Sequence, residues 1–117
     1  MITVDLPYPP SANRLWRAVR GRQIKSAEYR SWLLEAQAAI TLARVVGSMP
    51  GGYHLAILAT RPDRRARDID NLIKPISDAI AAAGLVLNDS AAESVFAIWK
   101  PSEPLKGGAI TVTLRDA

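Results

Sequence analysis

The sequence predicts a two-layer α/β domain, a mixed β-sheet with two main helices packed on it. Three patterns carry that expectation. Apolar and polar residues alternate near both ends of the chain, two internal segments repeat apolar residues at helical spacing, and a run between them is apolar on both faces. In order, Ile2, Val4 and Leu6 alternate with Thr3 and Asp5 as a half-buried strand does. The stretch "PYPPSANRLWRAVRGRQIKS" is too rich in Pro, Gly and Arg for a regular element and is expected to be a long loop. Ser26 is placed to cap a helix, with Glu28 in its first turn. Tyr29, Trp32, Leu33, Ala36, Ile40 and Ala43 form that helix's apolar stripe, and "GSMPGG" ends it. Tyr53 to Thr60 is apolar on both faces, which suits an interior strand covered by helices. A second helix starts between Asn71 and Lys74, which puts Pro75 near the first turn, and Gly84 stops it. "LVLNDS" makes a turn, and strands follow at Val95–Lys100 and Ile110–Leu114.

The 117 residues are expected to form one domain, 1–117, and to bury about two-thirds of the unfolded chain's surface. With no cysteine, disulfides and thiolate metal sites are excluded, and a reducing cytoplasm suits the composition. The opening residues lack a signal-peptide pattern, and no window approaches about 18 uninterrupted apolar residues, so no membrane association is expected. The net charge of +4 favours a polyanionic partner, nucleic acid before membrane. Its placement is uneven: six basic residues and one acid lie between Arg14 and Arg30, and five basic residues surround Asp63, Asp68 and Asp70 between Arg61 and Lys74.

"ARDIDNLIKP" sets two aspartates two residues apart in this basic surrounding. If Asp68–Asp70 is extended, both carboxylates share one face while Ile69 points to the core. Capping by the helix dipole explains one acid, not a pair. Paired oxygen donors suit a hard divalent ion, Mg²⁺ or Mn²⁺, which takes one or two carboxylates and completes its shell with water and phosphate. Asp89, in the turn after the second helix, is the leading candidate for a third ligand, or simply forms that turn. Lys74, one helical turn after Asp70, either steadies a phosphate or leaving oxygen or pairs with Asp78. His54, the only histidine, lies in an apolar run and is expected to be a structural sheet residue.

"RDIDNLIKPISDAI" followed by "LVLNDSAAES" resembles the core motif of the RusA family of Holliday junction resolvases. Asp68, Asp70, Asn71, Lys74, Asp78, Ala79 and Asp89 fall on its positions. "PYPPSANRLWR", "SAEYRSWL" and "SVFAIWKP" are similar to the flanking segments. The resemblance implies a RusA-like fold and a homodimeric, Mg²⁺-dependent endodeoxyribonuclease acting on four-way junction DNA in recombination and repair, in bacteria or phages. It implies Asp68, Asp70 and Asp89 as metal-binding catalytic acids and Lys74 as an essential basic partner. This chain departs from the pattern in having Asn88 before Asp89, Ala66 and Arg67 where some relatives carry an aromatic wedge, and Pro75 within the helical stretch.

Phosphate contacts are expected from Arg14, Arg17, Arg20, Arg22 and Lys25, and from Arg64, Arg65 and Arg67 beside the acids. Trp32 is expected to pack, while Trp16 is open to either packing or base stacking. Two other classes compete: a non-catalytic branched-DNA-binding protein, and a nucleotide-sugar transferase, which also uses Asp-x-Asp to chelate a metal diphosphate.

Overall fold

The computed structural model describes residues 1–45 and 47–117. Strand β1 (Ile2–Leu6) leads through a short 3₁₀ turn to a hairpin, β2 (Trp16–Val19) and β3 (Arg22–Lys25), then helix α1 (Ala27–Leu42). Strand β4 (Tyr53–Thr60), a 3₁₀ turn at Ile69–Leu72, helix α2 (Ile73–Ala82), a second turn at Asp89–Ala91, β5 (Ala92–Trp99) and β6 (Ala109–Asp116) complete the chain. The four-stranded sheet runs β1-β6-β4-β5, with β4–β5 parallel and the other pairs antiparallel, so the sheet is mixed as the sequence indicates.

The loop expected before α1 is instead the β2–β3 hairpin, paired Val19 to Arg22 and Trp16 to Lys25. Its two-residue turn has Arg20 at φ 50° and Gly21 at φ 75°. Two left-handed residues in succession match the twist of flanking strands, and an Arg-Gly pair hides this because Asn or Asp usually precedes the glycine. Ser26 caps α1 as expected, its Oγ accepting from the Tyr29 N–H at 3.0 Å. The helix buries Tyr29, Trp32, Ala36 and Ile40. Trp32 packs, with its indole N–H donating to the Pro7 carbonyl at 3.0 Å.

Alternation along β4 departs from the expected two-sided burial. Tyr53, Leu55, Ile57 and Ala59 are buried with Ile110, Val112 and Leu114, under the helices. His54, Ala56, Leu58 and Thr60 face the other side, where no helix of the described residues lies; Leu58 remains 41% exposed. His54 sits on this open face with Nδ1 2.6 Å from the Ser94 hydroxyl, the structural role expected of it.

Helix α2 starts at Ile73 with Pro75 third in its first turn. The turn before it takes up main-chain donors: Asn71 N–H bonds the Asp68 carbonyl at 3.2 Å, and Ile73 N–H bonds that of Asp70. At the other end Gly84, at φ 77°, donates to the Ala81 carbonyl and Leu85 to that of Ile80, both at 3.0 Å. This paired closure needs a left-handed residue after the helix cap, which glycine supplies without strain.

Candidate active site

The parallel β4–α2–β5 unit sets the site. Asp68 ends the chain's extended run (φ −83°, ψ 122°), and Asp70 already lies inside the 3₁₀ turn. The two-residue alternation of a strand therefore does not govern this pair, contrary to the sequence expectation; Ile69 is half-buried against the core as expected. Asp68 lines a cavity of about 250 Å³ with Tyr8, Pro10, Arg67 and Asn71. One wall depends on Gly108, where a Cβ would stand 2.6 Å from the Tyr8 ring.

Both acids are exposed, and among the described residues neither forms an ion pair or a side-chain hydrogen bond. The neighbouring guanidiniums are occupied elsewhere. Arg67 grips Asp63 in bidentate fashion, Nε at 3.2 Å and Nη2 at 2.7 Å, which holds the Asp63 carboxyl below its ordinary range. Arg65 also approaches Asp63 at 3.6 Å, and Arg64 pairs with Glu103 at 2.6 Å. Asp63 and Glu103 thus hold the three arginines that precede Asp68 in the chain.

A second cluster joins three elements. Lys74 Nζ lies 2.9 Å from Asp78 and 3.6 Å from Asp89. The Tyr29 hydroxyl of α1 donates to the same Asp78. Lys74 has its pKa raised, first by its hydrogen bond to Asp78, and Tyr29 has its own raised by burial and then by the bond its hydroxyl makes to Asp78. Lys74 thus makes the Asp78 pairing that the sequence allows and reaches Asp89 as well. Among the described residues no three of His, Cys, Asp or Glu gather closely enough to hold a metal. Asp89 is held by Lys74, not grouped with Asp68 and Asp70.

Tyr53 shares this end of the sheet. Its hydroxyl is buried and, among the described residues, has no hydrogen-bond partner, and its pKa is raised by burial and then by the charge of Asp89. Tyr53→Phe is expected to leave stability unchanged or raise it by up to about 1 kcal/mol in thermal melts, since an unsatisfied buried hydroxyl is removed. A loss of comparable size would reveal a hidden partner. The sequence gives little sign of either tyrosine. Tyr29 sits on an apolar stripe, and the only signal is that a buried phenol needs somewhere to donate.

The basic residues fall into two groups. Arg17, Arg20, Arg22 and Lys25 project from the exposed hairpin, with Arg14 just before it, 4.0 Å from Glu28. Lys25 lies 5.5 Å above the Trp16 ring, which meets Tyr29 edge-on at 6.0 Å. Trp16 therefore packs on one side and is 41% exposed on the other. The hairpin and the Lys74 cluster meet in an open cavity of about 390 Å³ lined by Lys25, Leu33, Lys74, Asp78 and Asp89.

A basic hairpin beside the Lys74 cluster of a βαβ unit fits more than one reading, and comparison with known families decides between them. The sequence model of the family described as Endodeoxyribonuclease RusA matches residues 7–114. The chain belongs to the RusA family. A protein of Escherichia coli strain K12 named crossover junction endodeoxyribonuclease RusA is 33% identical over 114 residues, spanning 97% of this chain and 93% of that protein. The same name and figures hold for a protein of Shigella sonnei strain Ss046. A protein of that name from Enterobacteria phage 82 is 33% identical over 113 residues, 97% and 92% of the two chains. Membership of the RusA family sets the sugar-nucleotide alternative aside. It also agrees with the mixed sheet and two main helices of this chain. No helix in the described residues is long and apolar enough to cross a membrane.

Proposed function

We propose that this RusA-family chain is a divalent-metal-dependent endonuclease that resolves four-way DNA junctions by paired symmetric nicks, acting as a homodimer in the cytoplasm of a bacterium during recombination and repair. The observation that carries this reading is the pair of unneutralised acids, Asp68 and Asp70, at the entrance of the helix that bears Lys74. The curated relatives are named for the same activity on crossover junctions.

The donor set fits Mg²⁺, with Mn²⁺ as a substitute. Asp68 and Asp70 are hard oxygen donors without competing cations, and such an ion needs only one or two protein carboxylates. Asp89, its Oδ2 3.6 Å from Lys74, would have to move toward them to serve as a third ligand. When bound, the ion lowers the pKa of its water and polarises the phosphoryl group. The residues present do the rest. Lys74 stays protonated because Asp78 stabilises its charge, and it supplies an ammonium for a non-bridging or leaving phosphate oxygen. Tyr29 fixes Asp78, and through it the position of that ammonium.

Affinity would come from the hairpin. Replacing Arg17, Arg20 and Arg22 together by Ala is expected to flatten the plot of log affinity against log salt by about 0.9 for each phosphate that is no longer neutralised. An unchanged slope in gel-shift titrations would move the DNA elsewhere on the surface. The overall reading is tested by incubating the protein and Mg²⁺ with a labelled four-way junction and, separately, a linear duplex. Symmetric nicks in the junction alone are expected. Retardation without cutting would support the non-catalytic branched-DNA-binding protein instead.

A further inference from the structure

Trp16 opens the β2–β3 hairpin directly opposite Lys25, so the two side chains share one face. The next pair on that face, Ala18 and Gln23, is small and polar and gives the indole no apolar cover. The root of the hairpin is fixed. Leu15 is buried, its carbonyl accepts from the Ser26 N–H at 2.9 Å, and the Ser26 hydroxyl donates to the Arg14 carbonyl at 2.5 Å. The indole is therefore held at a set position and stays 41% exposed. It is the outer end of a row of three rings. Tyr29, wholly buried, meets it edge-on, and Trp32 stacks on Tyr29 with 6.2 Å between ring centres and 19° between planes.

The cation beside this ring is uncommitted. Lys25 Nζ lies 5.5 Å over the indole and, among the described residues, has no carboxylate partner. An ammonium over an exposed indole is held weakly, so it can turn to a phosphate and leave the ring face open. Lys25 also lines the cavity that contains Lys74 and Asp89. Tyr29 makes a second link to the same place, since its hydroxyl donates to Asp78, the partner of Lys74. Arg17, Arg20 and Arg22 carry exposed positive charge along the rest of the hairpin.

We propose that Trp16 and Lys25 bind an unpaired nucleotide of DNA, its base stacked on the indole and its phosphate on the ammonium. An aromatic face with a free cation directly opposite answers the two halves of a nucleotide, and rings set in a basic track hold single strands because every base has a π-face. A base within a duplex has both faces covered by its neighbours. A base in a single strand, or at the end of an arm where the duplex branches, has a face free to stack. The indole therefore selects the open bases of a branch point. Because Lys25 shares a cavity with Lys74, the adjoining stretch of strand is led toward the Lys74 cluster. The proposal deepens the function given above and rests on its DNA-binding half, not on cutting.

The test is run in chelator, where binding is read without cleavage. The probes are a single-stranded oligothymidylate and an oligomer of the same length with every base removed, which keeps the phosphates and loses the stacking. Wild type is expected to bind the thymidylate about tenfold more tightly, within the range that stacking of one base on an aromatic ring supplies. Trp16→Ala should abolish this preference and leave affinity for the abasic strand unchanged, while Trp16→Phe should keep part of it. Lys25→Gln should retain the preference and flatten the salt dependence by about 0.7, the share of one single-strand phosphate. Thymidylate should also quench the tryptophan emission of wild type, and Trp16→Phe should remove that quenching although Trp32 and Trp99 remain. Equal wild-type affinity for the two strands would mean that Trp16 only packs, and would overturn the proposal. A preference that survives Trp16→Ala, or quenching that survives Trp16→Phe, would do the same by placing the base elsewhere. The quenching readout needs only the conservative variant, so it decides even if Trp16→Ala does not fold. A protein that shows the preference but never cuts a junction in Mg²⁺ would count against the proposed activity alone. One that cuts junctions yet binds both strands equally would count against the Trp16 site alone.

Discussion

Asp70→Asn is expected to reduce junction cleavage by on the order of 10³-fold while leaving junction binding intact or tighter. Asp70 is exposed and has no ionic partner among the described residues, so its carboxylate is not held for stability. Removing its charge should change thermal stability by no more than about 0.5 kcal/mol, as for other surface sites. The amide keeps the shape and loses the charge that a divalent ion needs, and it relieves repulsion against DNA phosphate. Cleavage of a labelled junction in Mg²⁺, with gel retardation in chelator, separates the two effects. Cleavage at the parental rate would end the metal-site reading of Asp68 and Asp70. Weakened retardation would instead make Asp70 part of the binding surface.

Lys74→Met has the second largest expected effect, and it acts on two properties at once. Asp78, whose side chain is 19% exposed, would keep only the Tyr29 hydroxyl, and Asp89 would lose its cation. A mostly buried carboxylate left short of a partner costs about 1–3 kcal/mol, to be read in thermal or urea unfolding. Cleavage should fall by on the order of 10²-fold, the usual cost of losing one electrostatic donor. Lys74→Arg restores the charge and should recover much of the stability. Its planar fork does not reproduce a compact ammonium, so it should recover little cleavage. The pH dependence follows from the raised pKa of Lys74. Its stabilising contribution is complete below the ordinary value of 10.5 and is lost only as pH rises through the higher folded value. From neutrality to mildly alkaline pH, therefore, stability should show no loss traceable to Lys74. An alkaline fall in activity in that range belongs to another group.

The parts of the fold written in local chemistry were legible. The Ser26 cap, the α1 stripe, the Gly84 stop and the alternating first and last strands each depend on residues a few positions apart. The hairpin was not legible, since its turn uses Arg20 in a left-handed conformation that most residues avoid. Nor was the open sheet face. A run apolar on both sides looks the same whether a helix covers the second side or something outside the chain does. At the site, Asp68, Asp70, Lys74 and Asp78 could be placed by spacing on one helix and its entrance. The Lys74–Asp89 pair joins α2 to a distant turn, and the Tyr29–Asp78 bond joins two helices across 49 positions. Such contacts are products of packing and leave no periodic trace.

On the proposed nuclease reading, Pro75 has a consequence for how a strand of DNA would be gripped. A helix often receives phosphate in a ready-made nest of free amides at its beginning. Here one of those amides is missing at Pro75, and the preceding turn has already used that of Ile73. A phosphate reaching this end of α2 would therefore meet jointed side chains, Lys74 foremost, instead of rigid main chain. Such a grip tolerates strands that arrive at varied angles, which suits the splayed arms of a branch point better than the fixed groove of a straight duplex.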